Sequence, residues 1–514
     1  MNYPGISRCI LASVLALPFA AHANITLPPV FSDHMVLQRE IAAPVWGKAD
    51  AGEDVTVSIA GQTKTTKADD VGKWFVKLDP LKLGEPLTLT VEGKNKIEIK
   101  DVLVGDVWVG SGQSNMAMAV RNYSKDDEPL AKMMEGTYPK LRLIGSGSKG
   151  WMEATPQNIN GFSALLFSFG VPLQKAIDVP VGLMVGAVGG TPSGYWISEE
   201  AYRGDKECAE VVKKFSATYK PEVAQADYEK LLAAWETADA TAKAEGKRPP
   251  GKPVPPAAPG ESTGKIGNLY EQHIRPFIPF AIRGVLWDQG EAGTNIVGVD
   301  QFTLMGALIR SWRQDWGQGE FPFLYVQKIS GSGCAFDPQN PLTKEASKLA
   351  PLPAQVPPDG AHRETHVKIA QHPRTAMVQS SDLGGMTHPI MKSSYGERAA
   401  LVAAGFAYGQ KVEWSGPQYA SHQIEGDKVR VKFSHIGAGL AQGQGEKLQG
   451  FAIAGEDRKF VWADATIDGD SVVLSSAQVP KPVAVRYAWS MQIPWANLFN
   501  KNGLPAVTFR TDEW

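Results

Sequence analysis

Two textures alternate along this chain. From 24 to 104 it is made of short runs such as VTVSIA, KWFVKL and LTLTVEG, in which apolar and polar residues alternate, separated by GKADAGED, ADDVG and GEP. A period of two sends successive side chains to opposite faces, so this stretch predicts a small antiparallel β domain. From about 101 the runs become largely apolar. The segment at 102–109 leads into a glycine turn, those at 180–190 and 280–291, with FPFLYVQ and TAMVQSSD, end in glycines or polar residues, and all alternate with helical stretches. That pattern predicts a parallel sheet covered on both faces, with a site along its carboxyl edge, over 105–420. Short strands return at KVRVKF, SVVLSS and AVRYAW, so a second β domain is expected over 421–514. The expected fold class is therefore α/β, a parallel-sheet domain flanked by N- and C-terminal β domains.

One segment, about 205–262, interrupts the central domain. Tyr228, Leu231, Leu232 and Trp235 recur at helical spacing within 221–247, and RPPGKPVPPAAPG follows at 248–260. An amphipathic helix with an extended proline-rich return is expected, as a packed insertion without chemistry of its own, although a long loop over an α/β sheet can also shape an entrance.

Composition changes the picture in three places. With 514 residues, 43% hydrophobic and 21% charged, the chain has the apolar content for several cores and not that of a disordered protein. Arg8, an apolar run from Cys9 to Phe19 and AHA at 21–23 form the pattern of a secretory signal peptide over 1–23, cut before Asn24. That run is too short for a membrane span, so an exported, periplasmic or secreted protein is expected. A net charge of −2 offers no basic field for nucleic acid. Cys208 and Cys334 have neither metal nor redox spacing, which leaves a single structural bridge and two unpaired buried thiols both open.

The candidate chemistry begins at GSGQSNM, 110–116. A strand that leaves through two glycines into a helix puts Ser114 at the helix N-terminus, where backbone N–H groups favour developing negative charge. A serine there can equally be a simple helix cap. The pattern is not GxSxG, because Met116 stands at the last position. A nucleophilic serine needs a base, an orienting acid and oxyanion donors. His34, His422 and His435 fall in the β domains and His273 in a helix-like stretch, whereas His388 follows a strand, in a glycine-bearing loop before a helix. His362 and His366 in HRETH, followed by His372, raise a zinc deacetylase as a rival, although HRETH lacks the glutamate placement of HExxH.

GQSNM at 112–116, GGTP with Trp196 at 189–196, WDQGE at 287–291 and HP…K…GERAAL at 388–401 together resemble the sialate O-acetylesterase family, a branch of the SGNH hydrolases. LPPVFSDHMVLQRE near the start and RYAWSMQIPWANLFNKNGLPAVTFRTDEW at the end are also similar to that family. The resemblance implies an SGNH-type, flavodoxin-like hydrolase domain without metal or organic cofactor. It implies hydrolysis of O-acetyl esters on sugars, typically 9-O-acetylated sialic acid, with relatives acting on acetylated plant polysaccharides such as xylan. It assigns Ser114 as nucleophile and His388 as general base, with the Ser114 N–H, an N–H of the Gly189–Gly190 turn and the Gln289 side chain holding the oxyanion. Relatives commonly carry an aspartate two or three residues before the histidine, where this chain has Gly385, Met386 and Thr387. Glu291 and Asp382 are the two candidates for the orienting acid, with Glu291 slightly preferred, and a dyad oriented by a backbone carbonyl is the third arrangement. With 14 tryptophans and two β domains, a carbohydrate-binding protein without catalysis is the non-enzymatic alternative.

Overall fold

The computed structural model describes residues 24–328, 331–384 and 387–514. The leader expected at 1–23, and Gly385 and Met386, lie outside the described residues. The elements that position the site are β1 (Lys96–Gly112), α1 (Ser114–Ala117), β2 (Tyr138–Gly145), α2 (Ala164–Ile177), β3 (Val181–Ala187), α3 (Pro221–Ala244), β4 (Gly284–Asp288), α4 (Gln301–Trp316), β5 (Phe323–Val326), α5 (Ala361–Ile369), β6 (Thr375–Val378) and α6 (Lys392–Val402). The strand order is β6-β5-β4-β1-β3-β2, and every one of these pairings is parallel. A short antiparallel strand, Met152–Ala154, closes the β2 edge.

β1 is the centre of this sheet. From Val102 to Gly112 every residue is buried, which is what a strand covered on both faces requires and why its sequence is largely apolar, with Asp106 paired to Arg39. α2 and α6 pack together on one face through Leu166, Phe169, Ala399 and Val402. α4 covers the other with Leu304, Leu308 and Trp312 against Trp287. Asp300 caps α4 by accepting from the Thr303 N–H, so a buried helix starts without an orphaned donor there.

The expected boundary at 104/105 falls inside β1. The first half of this 17-residue strand pairs antiparallel with Leu87–Glu92 and parallel with Val36–Gln38, so the N-terminal strands continue directly into the central sheet. They also share one apolar core with α4, from Ile25 and Val30 to Trp312. The C-terminal strands keep a core of their own around Val431, Phe451, Val472 and Tyr487. The 420/421 boundary likewise lies within a strand, Gln418–Glu425.

The insertion helix forms as α3, yet none of its residues is buried. Its half-buried stripe, including Tyr228 and Trp235, meets the proline-rich return, where Trp235 Nε1 donates to Pro250 O at 2.9 Å and Lys252 lies over the indole. Cys208 and Cys334 are free and buried, and burial pushes both thiols up to about 12. No helix among the described residues is long and apolar enough to cross a membrane.

Candidate active site

The turn after β1 is possible because of Gly112. Its φ is +128°, and a β-carbon there would stand 2.1 Å from Asp288 O, so a side chain is excluded twice over. The tight approach lets neighbouring strand ends be stitched together: the Gln113 N–H donates to Asp288 O at 2.9 Å, and the Val188 N–H to Gly112 O at 3.2 Å. The WDQGE, GSGQSNM and GGTP segments thus meet at one carboxyl edge, at the centre of the sheet. Ser114 opens α1 half-exposed there, and a β-carbon on Gly189 would lie 3.4 Å from Ser114 Cβ.

His388 reaches this edge from the loop after β6. Its Nε2 lies 2.8 Å from Ser114 Oγ. In that arrangement the imidazole can take the hydroxyl proton as the oxygen attacks an acyl carbon. The simple cap reading of Ser114 fails on geometry, since Gln113 is the capping residue of α1 and the hydroxyl is directed to the histidine. The backbone N–H groups of Ser114, half-exposed, and of Gly190, exposed with φ +71°, make no internal bond among the described residues. A backbone N–H without an internal partner can donate to an oxyanion.

The remaining expected residues are placed differently. Gln289 is 1% exposed, and its amide hydrogens point to Gly293 O at 3.0 Å and Thr191 O at 3.4 Å, while its oxygen accepts from Gln301 Nε2 at 3.1 Å. Occupied on both sides, it supports the Gly189–Gly190 turn from beneath and does not donate into the site. Thr191 completes that support, accepting from Trp196 Nε1 at 3.1 Å and donating to Val188 O at 2.8 Å.

Neither expected acid bonds to His388. Glu291 lies 3.2 Å from Lys328 and accepts from Gln113 Nε2. Lys328 is fully buried and pairs with Asp288 at 2.7 Å. Burial alone would discharge this lysine, but Asp288 and Glu291 hold its pKa above the ordinary value, while burial pushes the Asp288 carboxyl up against the pull of Lys328. Glu291 is thus part of a charge network that joins Lys328, Asp288 and Gln113 at the turn before Ser114. Asp382 is sealed in a two-point pair with Arg398 at 3.0 and 3.1 Å. Among the described residues the bond of the His388 ring is to Ser114, and neither a carboxylate nor a backbone carbonyl meets its other nitrogen.

Three residues that sequence reasoning passed over surround the histidine loop. Asn115 Nδ2 donates to Thr387 O at 3.0 Å, Lys392 Nζ donates to Asn115 Oδ1 and Pro389 O at 2.7 Å each, and Glu345 accepts the N–H groups of Ile390 and Met391 at 2.9 and 3.0 Å. Asn115 and Lys392 stand inside the motifs already singled out, whereas nothing local marks Glu345.

The zinc reading loses its third ligand. His362 and His366 sit on α5 with ring centres 5.0 Å apart, and burial holds His366 well below its ordinary pKa and therefore neutral. His372 turns elsewhere, stacked on Phe302 and bonded to Phe302 O at 3.0 Å. Among the described residues, three metal-capable groups converge at His34, Asp101 and Glu153, and Arg142 already supplies the cation there, 2.8 Å from Asp101.

With this geometry in place, the chain can be set beside known proteins. Human sialate O-acetylesterase is 26% identical over 544 residues, covering 95% of this chain and 92% of the human protein. The mouse sialate O-acetylesterase is 27% identical over 542 residues, covering 95% and 94%. The chain is similar to the sialate O-acetylesterases over nearly its whole length. A solved carbohydrate acetylesterase from Xanthomonas citri superposes with a TM-score of 0.73 at 29% identity, covering 95% of this chain and 100% of its own. No family model matches the chain. The resemblance carried by the four motifs therefore extends from end to end, and these relationships support a carboxylic ester hydrolase.

Proposed function

We propose that the chain is an SGNH-type serine esterase that removes O-acetyl groups from sugars, with 9-O-acetylated sialic acid as its substrate. The contact between Ser114 Oγ and His388 Nε2 at 2.8 Å carries the mechanism. Ser114 attacks the acetyl carbonyl as His388 takes its proton. The N–H groups of Ser114 and Gly190 hold the oxyanion, each worth roughly 3 kcal/mol of barrier. His388 then returns the proton to the departing sugar hydroxyl, and water repeats the sequence on the acetyl-enzyme to release acetate.

The choice of sugar rests on the mammalian relatives, named sialate O-acetylesterases over nearly their whole length. The Xanthomonas citri protein, named a carbohydrate acetylesterase, keeps acetylated polysaccharides such as xylan as the second reading. Export through the leader-like segment at 1–23 belongs to the same proposal, and Asn24 as the first residue of the mature protein, read by N-terminal sequencing, is its test. Acetate release from 9-O-acetylated sialic acid and from acetylated xylan separates the two substrates. Glycan binding without acetate release would leave the carbohydrate-binding alternative.

A further inference from the structure

His388 has no carboxylate on its ring among the described residues, yet the segment that carries it is held on both sides. Thr387 and His388 are exposed, so packing does little to fix them. Their backbone is fixed instead by polar side chains. Asn115 holds Thr387 O at 3.0 Å, immediately before the histidine. Lys392 holds Pro389 O at 2.7 Å, immediately after it. Glu345 gathers the next two N–H groups, of Ile390 and Met391, on one carboxylate oxygen at 2.9 and 3.0 Å.

We propose that Asn115, Lys392 and Glu345 form a clamp that orients His388 toward Ser114, acting as positioning residues in the absence of an orienting acid. The inference rests on the Ser114–His388 reading above. Two features argue that the clamp serves catalysis and not packing alone. Asn115 is the neighbour of the nucleophile, and its single amide reaches both the histidine loop through Nδ2 and Lys392 through Oδ1 at 2.7 Å. Nucleophile and base are thereby tied into one unit, which fixes the distance between them. Lys392 is 1% exposed at the first turn of α6, over the Tyr123 ring at 4.5 Å. An apolar side chain would fill that place without the cost of burying an amine; what Lys392 adds is a donor to Asn115 and to Pro389 at once.

The test uses the full chain with 4-nitrophenyl acetate as the probe, thermal melting as the check on folding, and Ser114→Ala as the blank. Lys392→Met and Asn115→Ala are expected to lose at least about tenfold in kcat with KM within about twofold, because a misplaced base slows chemistry without weakening binding. Glu345→Gln keeps an acceptor oxygen and is expected to stay near wild type, while Glu345→Ala falls with the other two. Wild-type kcat in folded Lys392→Met, Asn115→Ala and Glu345→Ala would overturn the clamp. So would a Glu345→Gln variant as impaired as Glu345→Ala, since its charge would then be what matters. Should Lys392→Met fail to fold, Asn115→Ala and the Glu345 pair decide the question. Activity surviving in Ser114→Ala would instead remove the nucleophile assignment on which the inference stands.

Discussion

Asp382 meets Arg398 at two points, 3.0 and 3.1 Å, with its carboxylate sealed from solvent, six residues before His388 in sequence and unbonded to it. Breaking such a pair strands a buried guanidinium. Asp382→Asn is therefore expected to cost about 3–5 kcal/mol of stability, seen as a lowered melting temperature. The folded fraction should keep kcat within about tenfold, whereas a loss near 10⁴-fold with melting unchanged would make Asp382 the orienting acid.

Glu291→Gln tests the other acid. Its carboxylate serves Lys328 and Gln113 at the turn before Ser114. Loss of that charge leaves Lys328 paired with Asp288 and loosens the turn, so a kcat lowered by about tenfold is expected, well short of the roughly 10⁴-fold drop that loss of a triad acid produces. Steady-state kinetics on 4-nitrophenyl acetate discriminate the two.

Gly112→Ala should be among the most damaging single substitutions. The new methyl would have to occupy a left-handed backbone position and stand 2.1 Å from Asp288 O. A stability loss of about 3 kcal/mol or more is expected from strain and overpacking together, measured by urea unfolding. A wild-type midpoint would show that the β1 and β4 ends are not locked as described.

Lys392 gives the protein a pH signature. Burial pulls its pKa down to about 7, against ~10.4 for a lysine in an unfolded chain. Between those values the unfolded chain binds the extra proton, so this group makes stability rise with pH over that window. The melting temperature of the wild type relative to Lys392→Met should climb from pH 7 toward pH 10. A difference that stays flat would contradict the burial of an uncharged amine.

Much of this was legible before any coordinates, for identifiable reasons. The buried strand VLVGDVWV, the glycines that let it turn and the serine after them are a local pattern, and local patterns survive in sequence. His388 was legible as a loop histidine after a strand and before a helix. What could not be read was the partner of each polar side chain. Glu291, Asp382 and Gln289 have the right chemistry and lie in the right segments, yet each is claimed by a residue outside its own motif: Lys328, Arg398, and Thr191 with Gln301. Glu345 was invisible because its function lies in the backbone N–H groups it accepts, 45 and 46 positions away. The domain boundary at 104/105 misled because a change from alternating to largely apolar residues marks a change in burial along β1, from one face to two, and not the end of a strand.

The most direct measurement is acetate release from 9-O-acetylated sialic acid by the wild type and by Ser114→Ala under identical conditions. Release by the wild type that disappears in the variant is the expected result. Equal release from both would contradict a serine esterase centred on Ser114 and His388.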